Sequence, residues 1–441
     1  MRGRALKDIL ISFLCTIALL TGMLSLALSG KAGLSFAASS EDAAGESKSG
    51  NDSDDGKTTI RIATWYNEYN LMYLEAFLAK AFPDFEIEFE YVDKSNYEPI
   101  MDSMLSYKGA PDILYVDREM VSKHALSGYI QDLSELVDEF DDKARHSFMY
   151  GNCVYAVPCT SQFECIYYNS DIFLENDIKV PHSYSGFVDC CDRLTGKGIK
   201  PVITSLKYPY DASNLVLAYV AADYLHTDRG RGFGGRLQYG RTTFRDELGP
   251  FMEDFEELMQ RGIYTRDMCV VDASSAVEEF SSGEAAMIIG GPETYNAIVL
   301  AKPGMHIGTM PFYGKNGKAI IGGCDVGLAL NSNAEHRDEA LQVLTTLASA
   351  EGQGAIWRDR PGSQTYRRDI SFENEKVFDG IKSMIDEDLA FTPWMDWGKD
   401  LNKTAYFQLG REIQKVLIGR ENIDSALSNV DTLVYKILRS K

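Results

Sequence analysis

The stretch Phe85-Glu86-Ile87-Glu88-Phe89-Glu90-Tyr91 sets apolar and acidic residues in strict alternation. A period of two gives a strand one face for a core and one for water. Upstream, Leu71, Leu74, Leu78 and Phe82 recur at helical spacing until Pro83 stops them. Before them, Ile60 and Ile62 flank Arg61 in a short strand pattern that ends at Trp65. Downstream, Tyr97 to Tyr107 fits a second helix, and Ile113-Leu114-Tyr115-Val116 is an unbroken apolar run closed by Asp117. The order β-α-β-α-β builds a parallel sheet with right-handed crossovers, whose ligands sit outside the carboxyl ends of the strands. Those ends carry Trp65, Tyr66, Glu68 and Asp117.

The same grammar runs on. Val154 to Pro158 and Cys165 to Tyr168 are strand-like, and Phe244 to Met259 reads as one amphipathic helix. Ala285 to Ile289 is a buried strand that breaks at Gly290-Gly291-Pro292 before a helix at Thr294 to Leu300. Ile307 to Tyr313 contains Pro311, and Ala319 to Leu330 is a strand region interrupted by glycine. The C-terminal part is helical: Phe407 to Leu417, then Ile423, Leu427, Val430, Val434, Ile437 and Leu438 on one face. A chain of 441 residues exceeds a single core, which stops growing near about 250–300 residues, so two lobes are expected. No internal repeat of fixed period points to a solenoid or propeller.

Lys+Arg 44 against Asp+Glu 65 gives a formal net charge of -21. A binder of phosphate backbones or anionic lipid needs the opposite sign, which argues against nucleic acid and against docking on a membrane surface. Arg2, Arg4 and Lys7 precede an uncharged stretch from Ile9 to Gly30, followed by small residues around Ser35-Phe36-Ala37-Ala38. That is the pattern of an export signal, yet the run also approaches the about 20 residues that span a bilayer. Residues 1–37 therefore read as a signal peptide or an N-terminal anchor, and 38–57, rich in Ser, Gly, Asp and Glu, as a flexible acidic tether. Either way the bulk of the chain is expected outside the cytoplasm, secreted or held at the outer face of the cytoplasmic membrane.

Past Cys15, which no small residue precedes, seven cysteines remain, an odd number without a Cys-x-x-Cys pair. They read as small buried hydrophobes rather than a disulfide framework. The six histidines are scattered, so no metal site is expected. No nucleophile elbow, phosphate loop or dinucleotide fingerprint appears, which leaves no expected catalytic residue or cofactor. Gly230-Arg231-Gly232-Phe233-Gly234-Gly235 follows Thr227-Asp228-Arg229 rather than a buried strand and reads as a mobile surface loop. A pair such as Glu68 and Asp117 would suit glycosidase acid–base chemistry, but 65 acids guarantee coincidental pairs. Aromatics say more. Trp65 and Tyr66 end a strand, and Trp394 lies in a polar segment with Pro393. Flat rings beside carboxylates suit a sugar, whose C–H face stacks while its hydroxyls pair. For Trp357 and Trp397, core packing is the better reading.

Several segments, taken in order, resemble one family. They are Ile60 to Trp65; Gly109-Ala110-Pro111-Asp112-Ile113-Leu114-Tyr115-Val116-Asp117; and Val154-Tyr155-Ala156-Val157-Pro158 leading to Ile166-Tyr167-Tyr168-Asn169-Ser170-Asp171-Ile172-Phe173. Phe280-Ser281-Ser282-Gly283-Glu284-Ala285-Ala286-Met287-Ile288-Ile289-Gly290-Gly291-Pro292, Met310-Pro311, Gly322-Gly323 and the terminal amphipathic helix complete the set. Together they resemble the extracellular solute-binding proteins of ABC importers, the group of maltose- and multiple-sugar-binding proteins. The resemblance implies an α/β, two-lobed, periplasmic-binding-protein-like clamshell, each lobe a mostly parallel sheet flanked by helices. Residues 58–160 plus 312–357 would form lobe 1 and 161–311 plus 358–441 lobe 2, with crossings near Cys159 to Gln162, Met310 to Phe312 and Trp357 to Pro361. It also implies a non-enzymatic monomer that traps a sugar or oligosaccharide and delivers it to the transmembrane subunits of a permease.

Carried over by position, the ligand-binding residues are Trp65, Tyr66, Glu68 and Asp117 on the first lobe and Gln162 and Glu164 at the first crossing. The family often places a tryptophan after the Gly-Pro turn or the Gly-Gly pair, where this chain has Glu293-Thr294-Tyr295 and Cys324-Asp325. Tyr295 is then the nearest aromatic substitute, Glu293 and Asp325 add acceptors, and Trp394 completes the set. So acidic a cleft would also suit a cationic metabolite such as a polyamine. A secreted carbohydrate-active enzyme is the alternative outside binding proteins.

Overall fold

The structure is a computed structural model. It describes residues 57–107, 109–159, 161–324, 326–360, 363, 365–370, 376–386, 390–391, 397–398 and 401–440. The signal or anchor over 1–37, nearly all of the tether over 38–57, Asp325 and Trp394 lie outside the described residues.

The chain begins as the alternation predicts: β1 (Thr58–Thr64), α1 (Met72–Ala81), β2 (Phe85–Tyr91), α2 (Lys94–Leu105), β3 (Ile113–Val116) and α3 (Arg118–Leu126). β1 pairs in parallel with both β2 and β3. β2 is the edge strand; Phe85, Ile87 and Phe89 pack toward the core while Glu86, Glu88 and Glu90 charge its other face, which deters pairing with a foreign strand. There follow β4 (Val157–Pro158), β5 (Ser161–Asn169), β6 (Lys200–Ile203), α4 (Pro209–Val220), β7 (Ala285–Gly290), α5 (Pro292–Ala301), β8 (Ile307–Met310), β9 (Phe312–Tyr313), β10 (Lys318–Cys324) and β11 (Gly327–Leu330). The last elements used below are α6 (Ala350–Arg358), β12 (Ala390–Phe391), α7 (Asn402–Leu417) and α8 (Ile423–Arg439).

Two large sheets result, in the orders β2-β1-β3-β11-β4 and β9-β10-β5-β7-β6, with β8 added to β5 and β12 to β10, beside a small two-stranded sheet of Met149–Tyr150 and Cys153–Val154. Each has its own buried apolar cluster, one around β1, β3 and β11, the other around β5, β7, α4 and α7. The expectation of mostly parallel sheets needs correction. β11 runs antiparallel to β3 and β4, and β5 runs antiparallel to β7, β8 and β10. The physical reason is β5 itself: this long strand enters from the first sheet, and β7, β8 and β10 all run opposite to it, β7 and β8 being joined to each other through α5.

The passage between sheets is an antiparallel ribbon. Pro158 faces Gly327 in the first sheet and Ser161 faces Cys324 in the second, so β4–β5 and β10–β11 hold one unbroken register through both. Gly322 and Gly323 take φ of 137° and 153° there, a backbone region that glycine enters without strain.

This ribbon places β9 and β10 in the second sheet, whereas the sequence reading assigns 312–357 to lobe 1. Arg358 to Arg360 and Tyr366 to Arg368 likewise stay with the first lobe rather than the second: the Asp359 carboxylate accepts from the Tyr73 and Leu74 amides at the start of α1 (3.0 and 2.9 Å), and Arg368 N donates to Glu139 O (2.9 Å). Farther along the chain, Phe378 is in the second core. The segment over 230–235 is no loose loop either; it lies in short helices, Asp228–Arg231 and Phe233–Gln238, with Gly230 and Phe233 buried. The cysteines from Cys153 to Cys324 are all free, five of them buried. Among the described residues no helix is long and apolar enough to cross a membrane.

α7 lies across the start of α4 at so short a distance that a Cβ on Gly410 would meet the Pro209 carbonyl at 1.7 Å. Gly410→Ala should therefore lower the stability by about 1–3 kcal/mol or more, read from the urea midpoint, because two helix backbones would have to part.

Candidate functional site

β1 delivers Trp65 and Tyr66 to the end of the first sheet. The Trp65 ring meets Tyr97 edge-on at 4.9 Å and Tyr115 at 5.9 Å, and Tyr66 meets Tyr115 at 5.3 Å. Trp65 is half-buried, and its Nε1 is a buried donor with no hydrogen-bond partner. Such an orphan costs about 1–3 kcal/mol, which a ligand acceptor could recover. The Lys94 ammonium stands 5.6 Å from the ring centroid. Tyr66 is buried, and the Arg360 guanidinium covers its face at 3.4 Å. Tyr66 thus offers that face to Arg360 rather than to a ligand.

Arg360 is only 6% exposed. Burial works against its charge, but Tyr66, Glu293, Tyr115 and Asp359 outweigh it and raise its pKa. Glu293 sits in the first turn of α5, on the other lobe, so Arg360 and Glu293 form an electrostatic link between lobes.

On the second lobe, β6 leads into Tyr208-Pro209-Tyr210, with Pro209 opening α4 where its missing N–H costs nothing. Tyr210 is 43% exposed and lies 5.4 Å from Phe407 and 5.6 Å from Tyr406. Behind it the Tyr406 hydroxyl donates to Asn214 Oδ1, and Asn214 Nδ2 donates to Glu164 Oε1. Burial, then Asp211 and Glu293, push Glu164 up to about 8, against the Asn214 hydrogen bond. Glu164 is therefore largely a neutral acid at pH 7, able to donate as well as accept. Asp211, half-buried and accepting from Ser205 Oγ (2.8 Å), is also raised by burial.

Asp117 closes β3 as expected, but its carboxylate is engaged: Oδ1 accepts from Met120 N (2.8 Å) as the cap of α3, and Oδ2 lies 3.6 Å from Lys403 Nζ of α7. The other candidates spread out. Glu68 lines an open groove of about 700 Å³ between α1 and β2, with Tyr66, Leu71, Phe85, Ile87 and Phe89, all residues of the first lobe. Gln162 pairs with Gly323 in the ribbon. Tyr295 is 8% exposed, with its ring 6.2 Å from Tyr167 and 5.2 Å from Phe378, a member of the second core rather than an open stacking face. Trp357 donates to Ser363 O (2.9 Å) and Trp397 is buried against Phe244.

The arrangement thus brings together Trp65, Tyr66, Asp117, Glu164 and Glu293 with four residues the sequence reading missed: Tyr210, Asn214, Arg360 and Lys403. Tyr210 follows a strand just as Trp65 does, and the same rule finds it once Lys200–Ile203 is read as a strand. Among the described residues no three His, Cys, Asp or Glu side chains are grouped to hold a metal ion.

The family model described as bacterial extracellular solute-binding protein matches residues 72–364. Among solved structures, a family 1 extracellular solute-binding protein from Bifidobacterium longum subsp. infantis is 20% identical with a TM-score of 0.69, covering 86% of this chain and 99% of that one. The solute-binding protein RafE in complex with raffinose is 17% identical, with a TM-score of 0.73 and coverages of 87% and 100%. The GacH receptor of Streptomyces glaucescens, solved unliganded and in complex with acarbose, is 19% identical, with a TM-score of 0.67 and coverages of 87% and 99%. No curated protein matches the chain.

Glu164 should make stability depend on pH. Its folded pKa of about 8 lies above the ordinary 4.5, so its contribution is whole below pH 4.5 and is lost as pH rises through 8. Glu164→Gln, neutral throughout, should melt with the wild type near pH 4.5 and at least about 2 °C above it at pH 8.5 in calorimetry.

Proposed function

This chain belongs to the bacterial extracellular solute-binding proteins, and we propose that it is the substrate-binding component of an ABC importer, closing its two lobes over a sugar or oligosaccharide. The observation that carries the reading is the pairing of an exposed aromatic platform, Tyr210 with Phe407, and the half-buried Trp65 with hydrogen-bonding groups: the unsatisfied Trp65 Nε1, Asn214 and a protonated Glu164. Rings stack on the apolar face of a sugar, and such neutral donors and acceptors match its hydroxyls. The raffinose and acarbose complexes of RafE and GacH, which share the fold, support the same class of ligand.

The polyamine alternative needs uncompensated acids. Here Asp117 stands beside Lys403, Glu293 is electrostatically matched by Arg360, and Glu164 is held neutral. The enzyme alternative is disfavoured at its named pair, because the Asp117 carboxylate is engaged as the cap of a helix and stands beside Lys403, while Glu68 lines a groove in which Asp117 has no part. In this reading the protein alters no covalent bond. Residues 1–37 direct it out of the cytoplasm, 38–57 tether it or are its free end, and the closed, loaded form docks on the transmembrane subunits of a permease.

Thermal-shift titration tests this with raffinose, acarbose and spermidine. A saccharide at 100 times its Kd should stabilise by about 2.7 kcal/mol while spermidine does nothing. Tyr210→Ala should weaken saccharide binding at least about tenfold, or 1.4 kcal/mol, by calorimetric titration with the unliganded melting point little changed. A melting curve that ignores every mono- to pentasaccharide, or that rises with spermidine, sinks the sugar reading.

A further inference from the structure

Lys403 occupies the first turn of α7, where the helix macrodipole is positive and a cation is locally unfavourable. What compensates it belongs to the other lobe. Its ammonium donates to Glu98 Oε2 on α2, and stands 3.5 Å from Glu119 Oε2 on α3 and 3.6 Å from Oδ2 of Asp117, which caps α3. α2 and α3 pack on the first core through Tyr97, Met101, Met120 and Val121, whereas α7 packs on the second through Ala405, Tyr406 and Leu409. A single side chain of one lobe is thus inserted among three carboxylates of the other.

The three acids are ill-suited to one another without it. Glu98 keeps a partner on its own lobe, Lys123 at 3.5 Å, and Asp117 keeps its cap to Met120 N. Glu119 is the least exposed of the three: burial, Asp117 and Glu98 push its carboxyl up to about 7, and Lys403 is the cation that opposes them. Parting the lobes would return Lys403 to a helix end that disfavours its charge and leave like charges facing each other on α2 and α3. Both effects favour the shut form.

We propose that Lys403 is an interlobe latch, holding the two lobes closed by pairing with Glu98, Asp117 and Glu119. The latch rests on the clamp reading of the fold but not on the ligand being a sugar, and its test needs no ligand.

Hydrogen–deuterium exchange of the full chain provides that test. The reporter is the peptide over 289–296, which carries Glu293 of the separate Arg360–Glu293 link and makes no hydrogen bond or ion pair with Lys403. Lys403→Met keeps the aliphatic stem and should speed exchange at 289–296 at least about threefold at low salt. Raising the ionic strength from about 0.02 to 0.5 M should move the wild type toward the variant, because a partly exposed ion cluster is screened. Reversing the pair, Lys403→Glu with Glu119→Lys, should restore protection that Lys403→Glu alone destroys. Faster exchange confined to 94–105, 118–126 and 402–410, or no change at all, would mean a local surface ion pair and overturn the latch. Failure of the swap to rescue would overturn it equally.

Discussion

One antiparallel ribbon governs the molecule. β4–β5 and β10–β11 pass from the first sheet to the second without a register slip, Pro158 against Gly327 and Ser161 against Cys324. A slip by one residue would turn Phe163, Cys165 and Tyr167 from the second core to the opposite face, and Val157 and Leu328 with them in the first. Relative motion of the lobes must therefore come from bending and twisting of two strands together, not from sliding. Gly322 and Gly323, at φ values few other residues accept, sit just where that bending is easiest.

Charge in the interlobe region is organised around the same constraint. Although the chain carries a formal net charge of -21, the acids between the lobes are not loose. Asp117 and Glu98 lie against Lys403, Glu293 attracts Arg360 electrostatically, and Glu164 is half-buried and held protonated with Asn214 as its donor. Lys403 faces acids of the opposite lobe, and so does Arg360 with Glu293. The surplus of negative charge is left for the outer faces, as on β2, where it keeps an open sheet edge from recruiting strands.

The N-terminal half of the first lobe was legible because each element there solves its burial locally. The alternation of β2 and the 3–4 spacing of α1 state which face is inside without reference to distant residues. The second sheet was not, because strand direction depends on what β5 meets after the chain crosses over, and hairpin-like returns leave the same apolar runs as helical crossovers. Residues 244–259 read as one helix, yet Gly249-Pro250 splits them into Phe244–Leu248 and Glu253–Gln260. At the site, strand ends correctly drew attention to Trp65 and Asp117. Nothing local shows that Arg360, almost 300 positions later, covers Tyr66, or that Lys403 approaches Asp117. Tyr295 reads as a free aromatic only if the ring of Tyr167, brought beside it by β5 and β7, is ignored.

Neither lobe is a continuous stretch of polypeptide. β1 to β4 cannot be sealed until β11 arrives some 170 residues later, and the second core waits for α7 and α8 at the far end. Contacts so distant in sequence form slowly, since long loops must close before anything is gained. The amino-terminal part alone therefore lacks its closing pieces. It stays pliable until the tail of the chain has joined it, and only then does either lobe become rigid.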